Sequence, residues 1–166
     1  MGTIFSLSNL FVLPFWFLMI VLPHWRWTGR VMQRPWMLAV PAFVYTILAL
    51  SQLGTLAPVA LSPSLPSVIK LFSVPGLATA GWVHFLAFDL AVGRWIYLTS
   101  REQGMSAWII GPMLFLMLML GPVGLLSYLL LRLFLVVRVH RSTLAAIRWK
   151  TNRKMRKGVK NDVSVE

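Results

Sequence analysis

The sequence has 166 residues, of which 58% are hydrophobic and only 12% are charged. Soluble domains average about 45–50% apolar and about 25% charged residues, so this composition indicates an integral membrane protein rather than a soluble enzyme. The chain contains no cysteine, which excludes disulfides, a thiolate nucleophile and a cysteine-ligated metal. Ten of the sixteen Lys and Arg residues lie from Arg132 onward, so the net charge of +12 is concentrated in a C-terminal tail.

The apolar segments predict a compact all-α bundle of four transmembrane helices, because each crossing needs about 20 apolar residues. The predicted spans cover residues 5–23, 36–57, 71–98 and 107–131. The first span is expected to stay in the protein, since no basic region of the kind found in signal peptides precedes it. Gly121-Pro122 is expected to kink the fourth helix. Residues 58–70 contain three prolines and are expected to form a loop.

The turn between the first two spans has the composition of a membrane interface. It holds arginines flanked by tryptophans, and this pattern is typical of an aromatic belt. The residues concerned are Arg26, Arg30, Arg34, Trp25, Trp27 and Trp36.

The transmembrane domain is predicted to cover residues 1–137, followed by a basic tail over residues 138–166. Helical spacing of the arginines in the tail predicts a basic amphipathic C-terminal helix on the membrane, with anionic lipid headgroups as partners. Nucleic acid is not expected as a partner, because the tail directly follows a spanning segment.

The predicted orientation of the chain depends on which cluster of basic residues lies on the cytoplasmic side of the membrane. Four spans place both termini on one side, and the larger basic cluster in the tail predicts that this side is cytoplasmic. An alternative makes residues 107–137 re-entrant, bent at Gly121-Pro122. That arrangement would bring the arginines of the first turn and the tail to the same side.

Residues 81–95 carry Asp89, the only acidic residue in any of the apolar segments. A carboxyl in hydrocarbon costs about 2.5–3.5 kcal/mol at a helix centre, so its presence indicates a partner or a function. His84 precedes it by five residues and Arg94 follows it by five. Because five residues turn an α-helix by about 140°, the three side chains point to different sides. We therefore expect the third predicted helix to be surrounded by other helices and its polar groups to find partners there, for example Tyr45.

Two interpretations of these polar residues remain open from the sequence. In one, they form an internal network that fixes helix packing. In the other, they form a buried acid/base site for a lipid-soluble substrate, where a neutral Asp89 donates a proton and His84 accepts one. No metal site or cofactor is expected, because the three histidines include no pair at helical spacing and no phosphate-binding loop occurs.

An ordered set of motifs resembles the abscisic-acid-deficient-four-like membrane family, over residues 4–132. The central motif is Gly81-Trp82-x-His84-x-Leu86-Ala87-Phe88-Asp89-Leu90-x-Val92-Gly93-Arg94-Trp95-Ile96. Asn9 and Leu13-Pro14-x-Trp16 precede it, and Gly121-Pro122-x-Gly124-Leu125-Leu126 follows it.

The plant member of that family is associated with neoxanthin synthase activity. The resemblance therefore implies a carotenoid-modifying membrane protein, an intramolecular isomerase that opens an epoxide and leaves an allene. It implies Asp89 as the acid, His84 as the base, and Arg94 as the group that orients Asp89 or a polar end of the substrate. Residues expected to line an apolar slot for the polyene are Asn9, Trp16, Trp82, Phe88 and Trp95.

The residues before the first helix bear on the membrane in which the protein is expected. No plastid transit sequence precedes the first helix, which favours a bacterial or cyanobacterial plasma or thylakoid membrane.

The alternatives to an isomerase are a carotenoid- or lipid-binding protein without enzymatic activity, and a membrane scaffold that recruits partners through its basic tail.

Overall fold

The structure, a computed structural model, describes residues 1–135. Within this range the chain forms eight helices and no strand, so the predicted all-α class is confirmed there. In chain order they are α1 (Gly2–Val21), α2 (Arg26–Gln33), α3 (Trp36–Ser51), α4 (Leu53–Leu61), α5 (Leu65–Phe72), α6 (Pro75–Glu102), α7 (Ala107–Leu120) and α8 (Pro122–Leu135).

Two of these helices, α1 and α6, are long and apolar enough to cross a membrane. The number rises to three if α2 and α3, which are bent by 47° relative to each other, count as one span. The apolar helices α7 and α8 are shorter. With 14 residues, α7 is about 21 Å long, whereas the hydrocarbon layer is about 30 Å thick. These helices are those of a membrane protein, and the predicted bundle of four crossings is not confirmed.

The second and fourth predicted spans are each interrupted. The second breaks at Gln52, between α3 and α4. The fourth breaks at Gly121, between α7 and α8, where a kink was predicted. Pro122 has no N–H to continue the ladder of α7, and it suits the first position of a new helix.

The prediction of a loop over residues 58–70 is wrong. Pro58 lies inside α4, which continues to Leu61, and α5 begins at Leu65. Ser64 caps α5, because its hydroxyl accepts a hydrogen bond from the Ser67 N–H at 3.4 Å. A proline in the first turn of α5 loses no helical hydrogen bond, since the N–H groups of a first turn have no partner within the helix.

Helix α6 lies at the centre of the fold, as the spacing of its polar residues predicted. It packs against α1, α2, α3, α5 and α7, and Val83, Leu90 and Ile96 on it are fully buried. The buried Trp16 of α1 covers Gly93, where an added Cβ would lie 2.5 Å from the indole ring. A residue without a side chain therefore lets α1 and α6 approach closely.

The two ends of α6 are joined to different parts of the chain. At the Met1 end, the side chains of Met1 and Gln52 lie within 3.8 Å of the position that a Cβ on Gly76 would take. At the opposite end, which we call the Pro23 end, the hydroxyl of Tyr97 donates a 2.9 Å hydrogen bond to the carbonyl of Pro23.

The chain divides into two compact units, Met1–Leu125 and Leu126–Glu166. The first contains α1 to α7 and the first turn of α8. The second is described over residues 126–135, which continue α8. The predicted basic amphipathic helix and the tail over residues 138–166 lie outside the described residues.

Candidate functional site

Asp89 lies near the middle of α6, about 21 Å along the axis from Pro75. Its side chain is half-buried and rests against Gly121. A Cβ on Gly121 would lie 2.8 Å from one carboxylate oxygen of Asp89 and 3.3 Å from the other. Only a residue without a side chain leaves room for this carboxylate, so the break between α7 and α8 is part of its environment.

The backbone around Gly121 also changes the electrostatics at Asp89. Gly121 accepts the first hydrogen bond of α8, from the N–H of Leu125 at 3.1 Å, so Asp89 lies beside the N-terminus of that helix. Gly124 packs directly on the backbone of Met117, although seven residues of straight helix would separate them by about 10.5 Å. The chain therefore turns sharply here. The partial positive charge of a helix N-terminus favours a nearby carboxylate.

His84 lies in a group of aromatic rings. Its ring centroid is 5.1 Å from that of Tyr45 on α3 and 4.5 Å from that of Phe88 on α6. Phe85 contributes a third ring at 6.1 Å. Tyr45 is one of the residues predicted from the sequence to meet a polar group of α6, and this contact is confirmed.

Arg94 binds the C-terminus of α2. Its Nε donates a hydrogen bond to the carbonyl of Met32, and its Nη2 donates one of 3.2 Å to the carbonyl of Gln33. The last carbonyls of a helix have no partner within the helix, and a cation is favoured at that end of the dipole. Arg94 therefore fixes α2 to α6, a role that sequence reasoning did not predict.

The three polar residues of α6 are not brought into one cluster. His84 faces the ring of Tyr45, Asp89 faces Gly121, and Arg94 faces the end of α2. This separation is the result that a five-residue spacing on a helix predicts. Among residues 1–135, no group of three or more His, Asp or Glu side chains could hold a metal ion.

The residues predicted to bind a polyene lie at several places along α1 and α6. Asn9 and Trp82 are brought together, because the indole N–H of Trp82 donates a 3.1 Å hydrogen bond to the Asn9 side-chain oxygen. Trp16 is buried against Gly93. Phe88 and Trp95 are 60% and 40% exposed, and Phe88 covers the ring of His84.

Two open grooves were not predicted from the sequence. One, of about 550 Å³, lies between α1 and α3, and the other, of about 630 Å³, lies between the end of α1 and the start of α7. Neither is lined by His84, Asp89 or Arg94. The first is lined by Ile4, Leu7, Ser8, Leu10, Phe11, Val40, Pro41, Val44, Ile47 and Leu48.

Comparison with known proteins gives one family and one relative. A sequence profile described as ABA DEFICIENT 4-like matches residues 3–128. The chain is 27% identical over 133 residues to Protein ABA DEFICIENT 4, chloroplastic, of Arabidopsis thaliana, which covers 76% of this chain and 59% of that protein. The chain thus spans less than two thirds of the length of this relative. No solved structure matches the chain.

Proposed function

We propose, from the premise that this chain belongs to the ABA DEFICIENT 4-like family, that it isomerises an epoxy-carotenoid inside the membrane. Family membership confirms the resemblance found in the sequence motifs. It supports a role in carotenoid metabolism for the chain. We infer that two side chains of α6, Asp89 and His84, are the acid and the base of the isomerisation.

The reaction needs one acid and one base and no redox partner. A proton delivered to the epoxide oxygen breaks a carbon–oxygen bond and forms a hydroxyl group. Loss of a proton from the adjacent polyene carbon then gives the allene. Substrate and product have the same composition, so a proton that returns from the base to the acid completes the cycle.

The observation that carries the proposal is the position of Asp89. A carboxyl in the middle of a membrane-length helix is costly, and this one occupies a space that the glycine at the α7–α8 break leaves open. We assign to Asp89 the role of the acid. His84, about 7.5 Å further toward the Met1 end of α6, has the role of the base. The two side chains face different neighbours, so each is substituted in a separate variant in the test below.

We propose that the groove between α1 and α3 holds the apolar part of the polyene away from the epoxide, since neither Asp89 nor His84 lines it. Its walls are aliphatic and aromatic apart from Ser8, whose hydroxyl already donates to the carbonyl of Ile4 at 2.8 Å. Ile47 and Leu50 are both exposed on α3, but only Ile47 lines the groove. Ile47→Trp should therefore reduce bound carotenoid in the purified protein, whereas Leu50→Trp should not.

The test is pigment analysis of a host that makes violaxanthin and expresses the intact chain. Wild type should produce a new allenic carotenoid. Asp89→Asn should abolish this product, and His84→Gln should strongly reduce it. The matched control is Asp162→Asn, which changes the only other aspartate in the chain and lies outside α6. A folded Asp89→Asn variant with wild-type conversion would remove Asp89 from the mechanism.

If the wild-type protein binds carotenoid but does not convert it, the protein is a carotenoid-binding protein and not an isomerase. Tryptophan fluorescence and size-exclusion chromatography in detergent report whether each variant is folded. The chain has eight tryptophans, so the fluorescence signal is strong enough for this purpose.

We further propose a multi-pass arrangement with both termini on the cytoplasmic side, as the basic tail predicts. The chain has no cysteine, so single cysteines introduced at opposite ends report orientation directly. With an impermeant maleimide on intact cells, Ser106→Cys should be labelled and Thr3→Cys should be protected. The reverse pattern would place the arginines of α2 in the cytoplasm instead.

A further inference from the structure

A groove of about 330 Å³ lies at the Pro23 end, where the turn between α1 and α2, the helix α2 and the last turns of α6 meet. Its polar lining differs from that of the two apolar grooves. It is formed by the side chains of His24, Arg26, Gln33, Arg101 and Glu102 together with Tyr97. A volume of this size is at the lower end of the range of about 300–1,000 Å³ seen for small-molecule sites.

The walls of this groove are held in place by side chains that bond to backbone carbonyls. The hydroxyl of Thr28 donates to the carbonyl of Leu22 at 2.7 Å, which ties the start of α2 to the end of α1. The hydroxyl of Tyr97 donates to Pro23 at 2.9 Å, which ties α6 to the same turn. Arg94 bonds to the other end of α2. A groove fixed in this way loses little freedom when a ligand binds.

The charge of the lining favours an anion. Two guanidinium groups, from Arg26 and Arg101, are opposed by one carboxylate, from Glu102, and His24 adds a further donor. Guanidinium groups bind phosphate oxygens with two parallel hydrogen bonds. The net excess of one positive charge from these three side chains is compatible with a singly charged phosphodiester.

The surroundings of the groove indicate the depth of lipid headgroups. Trp25 lines the groove and is 50% exposed, and Trp27 and Trp36 nearby are 47% and 50% exposed. Exposed tryptophans are enriched at the level of the headgroups. Leu98 adds an apolar surface beside the charged groups, which a lipid with its glycerol and acyl chains would cover and a free phosphate ion would not.

We propose that this groove binds the phosphate of an anionic phospholipid headgroup, with Arg26 and Arg101 as the phosphate-binding side chains. The residues that line the groove precede the basic tail in the sequence, and the proposal does not depend on the proposed carotenoid chemistry. It positions a structural lipid at the junction of α1, α2 and α6.

The test measures the affinity of the purified full chain for short-chain phosphatidylglycerol in neutral detergent, by native mass spectrometry. Wild type should bind phosphatidylglycerol in preference to short-chain phosphatidylcholine, and inorganic phosphate should not compete. Arg26→Gln and Arg101→Gln should each weaken binding about tenfold, since each removes a charged hydrogen-bond donor. Glu102→Gln should strengthen binding, because it removes the negative charge in the groove.

The matched control is Arg30→Gln. Arg30 lies on α2 one turn after Arg26, and both are exposed. Both guanidinium groups lie over the ring of Trp27, at 5.9 Å for Arg26 and 5.0 Å for Arg30, but only Arg26 lines the groove. Arg30→Gln should change affinity less than twofold. The basic tail is present in every variant, so its contribution to lipid binding cancels in these comparisons.

Three outcomes would overturn the proposal. Equal affinity for the two lipids would show that charge is not recognised, and effective competition by inorganic phosphate would make the site one for free anions. An equal loss of binding in Arg30→Gln and Arg26→Gln would show a general surface attraction rather than a site. Because all four substituted residues are exposed, the variants are expected to fold, and thermal unfolding in the same detergent checks this.

Discussion

The contact between Asp89 and Gly121 leads to a quantitative prediction for Gly121→Ala. The new methyl group would lie 2.8 Å from a carboxylate oxygen, whereas ordinary contacts to a Cβ begin at 3.4 Å. The carboxylate would have to move by about 0.6 Å, or the backbone at the helix break would have to shift. Overpacking of this kind costs about 1–3 kcal/mol. Movement of the carboxylate away from the N-terminus of α8 adds about 0.3–1 kcal/mol.

The assay is reversible unfolding in mixed micelles, followed by tryptophan fluorescence and circular dichroism. With both contributions, Gly121→Ala should lower the free energy of unfolding by about 1–4 kcal/mol. Gly111→Ala is the control on α7, because the nearest heavy atom to its new Cβ, the carbonyl oxygen of Ile20, is 3.9 Å away. That change should be neutral or stabilising, since Gly in a helix interior costs about 1 kcal/mol relative to Ala.

A double-mutant cycle decides whether the carboxylate is the cause. In an Asp89→Ala background the oxygen atoms are gone, so Gly121→Ala should cost little, and the coupling energy should be about 1–4 kcal/mol. If Gly121→Ala costs the same with and without the carboxylate, the contact with Asp89 is not what requires a glycine at this position. The Asp89 carboxylate would then not depend on the space that Gly121 leaves open.

Three further predictions concern other contacts of α6. Gly93→Ala should destabilise by about 1–3 kcal/mol, because its Cβ would lie 2.5 Å from the Trp16 ring, and Trp16→Phe should recover part of this loss in the same assay. Arg94→Lys should speed hydrogen exchange in α2 about tenfold, since a single amine cannot keep both hydrogen bonds to the carbonyls of α2; unchanged exchange would mean that these bonds do not hold α2. Tyr97→Phe removes the hydrogen bond to Pro23 and should cost about 1 kcal/mol, and a variant as stable as wild type would contradict this.

Much of the arrangement around α6 could be predicted from the sequence. The five-residue spacing of His84, Asp89 and Arg94 predicted three different neighbours, and the structure shows three. A kink was predicted at Gly121-Pro122 because Pro122 lacks an N–H, and the structure shows a break between two helices at this position. Both predictions rest on local geometry, which the residue types at those positions determine directly.

The partners themselves were harder to predict. Polar residues were expected to meet polar side chains, but Asp89 rests on Gly121 and Arg94 bonds to backbone carbonyls of α2. Every residue has a carbonyl, so no pattern of side chains marks the helix end that an arginine will reach. The proline-rich segment was predicted as a loop because proline usually ends helices. Proline is tolerated in a first turn, however, and at Pro58 it lies within the short helix α4.

The structural and catalytic interpretations of Asp89 can now be separated by two substitutions that act in opposite ways. Asp89→Asn keeps the shape of the side chain beside Gly121 but removes the acid, so it should abolish conversion while the free energy of unfolding changes little. Gly121→Ala keeps the acid but displaces it, and should lower both stability and conversion. If both variants instead lose stability together and the folded fraction of each retains wild-type conversion, Asp89 serves packing alone. If Asp89 is the catalytic acid, Asp89→Asn must lose conversion even though its packing beside Gly121 is intact.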